Sequence, residues 1–176
     1  MHIALTPEQE NLQKELRDYF SQLVTPERRI ALSQASGEFG DAVVYKQVIA
    51  EIGSDGWLGI GWPKEYGGQD RSMMDQLIFT DEAAIAGVPI PYLTLNTVGP
   101  TIMRFGTDAQ KEEILPKILK GEMHFSIGYS EPGSGTDLAS LKTRARLEGD
   151  EWVINGDKIF VTDGVKCDGA IVWATI

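Results

Sequence analysis

A chain of 176 residues, 42% hydrophobic and 24% charged, has the balance of one ordinary folded domain or two small ones, and needs no disulfide or metal to staple its core. Its formal net charge of −10 argues against nucleic acid or an anionic membrane as the main partner. A lone cysteine, Cys167, excludes an internal disulfide framework, and with only His2 and His124 beside it no zinc constellation forms. No apolar run approaches the roughly 18–20 residues of a membrane helix. Polar residues from Thr6 onward speak against a signal peptide. A cytoplasmic, acidic, globular protein is expected.

The first two thirds of the chain read as helices. Thr6-Pro7-Glu8-Gln9 is a helix start with a capping box and proline at the first position, and Leu12, Leu16, Tyr19, Phe20 and Leu23 follow at helical spacing. Val44, Val48, Ile49 and Ile52 form a second stripe, ended by Gly53. Ser72 caps a third helix, with Met74, Leu77, Ile78 and Ile85 inward and Gly87 after its end. Met73, Met74 and Met103 read as core. Val98, Ile102 and Phe105 make a short fourth helix, stopped by Gly106. Thr107 caps a fifth, with Ile114, Leu115, Ile118 and Leu119 apolar, Gly121 closing it, and Pro116 expected to kink or split it.

The pattern changes near residue 122. Met123 to Ser130 reads as a strand, and Thr143, Ala145 and Leu147 alternate with charged neighbours as a half-buried strand. Gly149-Asp150 is a turn signal. Trp152-Val153-Ile154, Asn155-Gly156 and Lys158 to Thr162 predict a hairpin. Residues 170–175 read as a further strand, with no turn or cap after it.

Two segments stand out chemically. Tyr129-Ser130-Glu131-Pro132-Gly133-Ser134-Gly135-Thr136-Asp137 is a loop rich in glycine and hydroxyls, able to bring backbone N–H groups close to a ligand. It is neither a P-loop nor a dinucleotide fingerprint, and by composition alone it reads as a surface turn rather than a binding loop. Trp57-Leu58-Gly59-Ile60-Gly61-Trp62-Pro63-Lys64-Glu65-Tyr66-Gly67-Gly68 is an aromatic-packed linker or a binding loop. Glu82, after Asp81 on a helix, reads as a structural carboxylate, and Glu131, before Pro132, as an N–H acceptor that fixes its loop. Cys167 lacks a nearby histidine to activate it. The prolines of Gly87-Val88-Pro89-Ile90-Pro91 stiffen a connector between helices.

Taken in order, Trp62 to Gly68, Tyr129 to Asp137 and Asn155-Gly156-Asp157-Lys158-Ile159-Phe160-Val161-Thr162 resemble the acyl-CoA dehydrogenase family along the whole chain. The resemblance implies an α+β architecture. An N-terminal α-helical bundle spans residues 1–121. The first part of a middle antiparallel β-barrel or sandwich domain spans 122–176. The C-terminal four-helix domain is absent from this chain. It also implies FAD as cofactor, with Tyr129 and Ser130 beside the flavin ring, Gly135 and Thr136 at the pyrophosphate, Thr136 also near the acyl-CoA, and Phe160 and Thr162 covering the flavin.

Many relatives carry Trp where this chain has Phe160 and Thr where it has Ser130; both changes keep the aromatic face or the hydroxyl. The chemistry implied is removal of an α-proton by a carboxylate and of a β-hydrogen as hydride. The base belongs to the family's C-terminal domain, beyond Ile176, so no catalytic residue is assigned in this chain, which is expected to hold FAD weakly or not at all by itself.

Gly56-Trp57-Leu58-Gly59-Ile60-Gly61-Trp62-Pro63-Lys64-Glu65-Tyr66-Gly67-Gly68, Phe79-Thr80-Asp81-Glu82-Ala83 and Phe125-Ser126-Ile127-Gly128-Tyr129-Ser130 look like the actinobacterial group acting on steroid (cholesterol) side-chain CoA thioesters. That group implies a tetramer with a second subunit of the family, and the family implies an electron-transfer flavoprotein as acceptor. A noncatalytic partner subunit, or an oxidase of the same fold, stays open.

Overall fold

The computed structural model describes residues 4–33, 42–162, 164 and 166–176. The chain divides into two compact units, Met1–Met123 and His124–Ile176. Among the described residues no helix is long and apolar enough to cross a membrane.

The first unit is helical. Helix α1 (Pro7–Leu23) opens on the Thr6–Gln9 capping box and buries Leu12, Leu16, Phe20 and Leu23. Helix α2 (Pro26–Ser33) is an element the periodicity did not single out. Its start is nonetheless written in Thr25-Pro26, where the Thr25 hydroxyl accepts from the Arg28 N–H. Arg28 then forks onto Glu51 of α3 (Ala42–Ser54), joining the two helices. Helix α3 buries Tyr45, Val48, Ile49 and Ile52 and continues one residue past Gly53.

Residues 57–68 form two single 3-10 turns, Trp57–Gly59 and Lys64–Tyr66, wrapped around the Trp62 indole. Trp62 is buried, and its Nε1–H donates to the Leu95 carbonyl at 3.0 Å. Gly68 lies so close that a Cβ there would stand 2.1 Å from the Trp62 carbonyl oxygen. This segment is therefore a packed structural connector.

Helix α4 (Met73–Ala86) has a capping box from Ser72 to Asp75 and ends on Gly87 in the left-handed region, φ 82°. Its inner face differs from the expected one. Ile78, Phe79, Glu82, Ala83 and Ala86 are buried, whereas Met73, Met74, Leu77 and Ile85 are exposed. The helix is apolar on more than one side, and α1 packs against the side that holds Glu82. Arg17 reaches Glu82 there, and Phe20 meets Phe79 at 5.9 Å between ring centroids.

A π-helical turn (Thr94–Val98) runs directly into α5 (Gly99–Phe105). Helix α6 (Asp108–Leu119) starts on the Thr107–Gln110 capping box and contains Pro116 without being split. Proline leaves the carbonyl four residues earlier without its helical donor but does not forbid the turn.

The second unit holds two small ladders. Strands β1 (Phe125–Gly128) and β4 (Gly169–Val172) pair in parallel, Phe125 opposite Gly169 and Gly128 opposite Val172. Strands β2 (Arg144–Glu148) and β3 (Glu151–Asn155) pair antiparallel across the Gly149-Asp150 turn. The antiparallel ladder is the expected one. The β1–β4 ladder is parallel because a long crossover, rather than a hairpin, separates its strands.

The expected hairpin at Asn155-Gly156 does not form. The chain leaves the sheet after Asn155, because residues 158 and 159 are held by residues 129–131 instead. Thr175 extends the small sheet, accepting from the Ala145 N–H and donating to the Thr143 carbonyl.

Candidate functional site

The glycine-rich loop leaves β1 at Tyr129 and is organised around Glu131. This residue is buried at 7% exposure, and its carboxylate accepts the Lys142 N–H at 2.6 Å, the Thr143 N–H at 2.8 Å and the Lys158 ammonium at 2.9 Å. Its main chain pairs reciprocally with Ser134, closing the Pro132-Gly133 turn. The Ser134 hydroxyl donates to the Asp137 carbonyl at 2.8 Å and fixes the exit of the loop. Hydrogen bonding from Thr143, the Lys142 N–H and the Lys158 ammonium holds the Glu131 carboxyl down to about 2.

That depression has a sign. A carboxylate whose folded value lies below its ordinary 4.5 adds stability above pH 4.5 and loses it as pH falls toward 2. The near-UV signal of the Tyr129–Trp173 pair, whose rings lie 5.1 Å apart, is expected to collapse in that window. In Glu131→Gln the signal is expected to be weaker at neutral pH and flat across the window. A wild-type-like acid transition in the variant would assign the transition to other carboxylates.

The structure brings Tyr129, Ser130 and the stretch before Phe160 together. The Ile159 N–H donates to the Ser130 carbonyl at 2.9 Å, and Lys158 reaches the Tyr129 carbonyl at 3.1 Å. Phe160 follows in the left-handed region, φ 55°, which is costly for a residue with a Cβ. Its ring is 86% exposed. Thr162 is exposed two residues further on.

Gly135 and Thr136 lie on the exposed side of the loop. A Cβ at Gly133 or Gly135 would meet nothing within 4 Å. Among the described residues no hydrogen bond engages the N–H groups of Gly133, Gly135 or Thr136, or the Thr136 hydroxyl. Open N–H groups on a glycine-containing loop, with a hydroxyl beside them, make a donor set suited to phosphate oxygens. An exposed aromatic ring just after the anchored residues 158 and 159 suits the face of a flat heterocycle. The donor set and the ring fit FAD.

Other candidates are structural. Glu82 accepts two hydrogen bonds from Arg17. His124 is buried, its main-chain N–H donating to Asp168. Among the described residues no cluster of three or more His, Cys, Asp or Glu side chains could hold a metal ion. Lys158 was missed as a site residue. Its Asn-Gly-Asp-Lys motif was visible, but only the tertiary approach to Tyr129 and Glu131 gives the ammonium a role.

Residues 6–122 match the acyl-CoA dehydrogenase N-terminal domain, and residues 126–175 match the middle domain of the same enzymes. The chain belongs to the acyl-CoA dehydrogenase family. Acyl-CoA dehydrogenase FadE26 of Mycobacterium tuberculosis is 62% identical over 162 residues, 92% of this chain and 40% of its own length. FadE29 of the same organism is 49% identical over 96% of this chain and 42% of its own length. Among solved structures, a chain of the ChsE4-ChsE5 complex from Mycobacterium tuberculosis superposes with a TM-score of 0.88 at 58% identity, over 99% of this chain and 43% of that one. A chain of the Tcur3481-Tcur3483 steroid acyl-CoA dehydrogenase gives 0.86 at 48% identity, over 99% and 44%. The chain thus spans about two fifths of the length of the relatives it matches.

Proposed function

We propose that the intact gene product takes part in FAD-dependent α,β-dehydrogenation of an acyl-CoA thioester, with a steroid side-chain CoA ester as the substrate class. The observation that carries the proposal is the 129–136 loop, with open N–H donors at Gly133, Gly135 and Thr136 and its root fixed by Glu131 and Lys158. Similarity to a FadE26 sequence and to chains of the ChsE4-ChsE5 complex and of a steroid acyl-CoA dehydrogenase supports the substrate class and a second subunit of the family as partner. The family resemblance supports an electron-transfer flavoprotein as acceptor.

When bound, FAD supplies the acceptor for the β-hydride. This chain's part is to bind and orient. Ser130, through its hydroxyl and main chain, would meet the polar edge of the ring beside Tyr129. Gly135 and Thr136 would donate to the pyrophosphate, with Thr136 also near the acyl-CoA. Phe160 and Thr162 would cover the ring and exclude water.

No carboxylate here is offered as the base. Glu131 is saturated with donors and Glu82 is paired with Arg17, so neither is free to take an α-proton. The test is anaerobic addition of CoA thioesters to the purified flavoprotein, followed in the visible flavin band. Bleaching by a steroid side-chain CoA ester in preference to a short straight-chain acyl-CoA is expected. A band that no CoA thioester bleaches would end the proposal.

A further inference from the structure

We propose that Lys158 is a positioning residue for the flavin-binding edge. This rests on the functional reading above and adds a residue to it. The Lys158 side chain is 10% exposed, and its ammonium is shared between the Tyr129 carbonyl at 3.1 Å and Glu131 Oε1 at 2.9 Å. A cation withdrawn this far from water persists only where oxygens replace its hydration.

Two consequences follow for the residues that would touch the cofactor. The carbonyls of Tyr129 and Ser130 are both committed, one to Lys158 and the other to the Ile159 N–H. The Tyr129 carbonyl and the Ser130 N–H lie in one peptide plane, so the Lys158 ammonium on that carbonyl also sets the direction of the N–H, and among the described residues that N–H has no main-chain partner. That N–H donor is thus held in place for a ligand. Second, residues 158 and 159 are the anchor immediately before Phe160, which sits at φ 55° with its ring 86% exposed. A left-handed phenylalanine needs surroundings that impose the conformation, and the Lys158 bridge is such an imposition. Glu131 neutralises the ammonium and ties the same bridge to Lys142 and Thr143 at the start of β2.

The experiment compares Lys158→Met and Lys158→Arg with wild type in the intact flavoprotein, reading the dissociation constant for FAD and the visible spectrum at saturating FAD. Methionine keeps most of the apolar stem and removes the charge. Arginine keeps the charge, but its planar fork does not reproduce the bridge from a carbonyl to a carboxylate. Lys158→Met is expected to weaken FAD binding about tenfold or more and to shift the spectrum of the flavin that is bound. Lys158→Arg is expected to fold and to fall between the two. A spectrum and an FAD affinity equal to wild type in Lys158→Met would overturn the proposal. Should that variant fail to fold, wild-type values in Lys158→Arg would overturn it equally. A wild-type protein that takes up no FAD would overturn the functional reading itself, which separates the two failures.

Discussion

Arg17→Met is expected to destabilise the helical unit more than any other change to an exposed side chain. Arg17 is 59% exposed, but the Glu82 side chain it holds is only 1% exposed. Both Glu82 oxygens are satisfied by that one guanidinium, from Nε at 3.0 Å and from Nη2 at 2.7 Å. Removing the partner strands a carboxylate in the α1–α4 interface without its counter-ion. Leaving the buried Glu82 carboxylate without its hydrogen-bond partner costs on the order of 1–3 kcal/mol or more.

The double variant Arg17→Met, Glu82→Leu should recover much of the loss, because apolar groups of similar volume replace buried ion pairs with little penalty. Urea unfolding followed by circular dichroism, for wild type, single and double variants, checks this. A single variant within about 0.5 kcal/mol of wild type, the range of ordinary surface substitutions, would show that Glu82 is not held by Arg17.

Thr136→Ala is the second large effect, and it falls on binding rather than folding. Thr136 is exposed, and its hydroxyl and N–H have no hydrogen bond within the described residues. Its removal therefore costs the fold little. If its hydroxyl meets a phosphate oxygen, losing one bond to a charged acceptor costs about 1.5–3 kcal/mol, which is roughly 10- to 150-fold in the dissociation constant. FAD retention and acyl-CoA affinity in the intact protein are the quantities to measure, beside an unchanged urea midpoint. Unchanged flavin content with unchanged kinetics would remove Thr136 from the site.

Local signals made several elements legible. Thr6, Ser72 and Thr107 each cap the helix expected of them, and all three close a capping box, since a cap and its partner lie three residues apart and need nothing from the rest of the fold. Glu131 is the N–H acceptor its place before Pro132 suggested. What required the folded chain were choices made at a distance. On α4, periodicity favoured Met74, Leu77 and Ile85 because they are apolar. The buried face instead includes Glu82, and its acceptance there depends on Arg17, 65 positions away.

Asn155-Gly156 carries a strong hairpin signal, yet the following residues pair with 129–131. Here the tertiary bonds of Lys158 and Ile159 prevailed over local turn chemistry. The role of Lys158 was hidden for the same reason: its motif lies in one segment and its two acceptors in another.

The central claim is that residues 129–136 and 158–162 form one edge of a flavin site. The most direct test is FAD uptake by the intact gene product, purified and passed through gel filtration. The account predicts retained FAD, read from its visible absorbance. A colourless protein that takes up no FAD when the cofactor is supplied would contradict it.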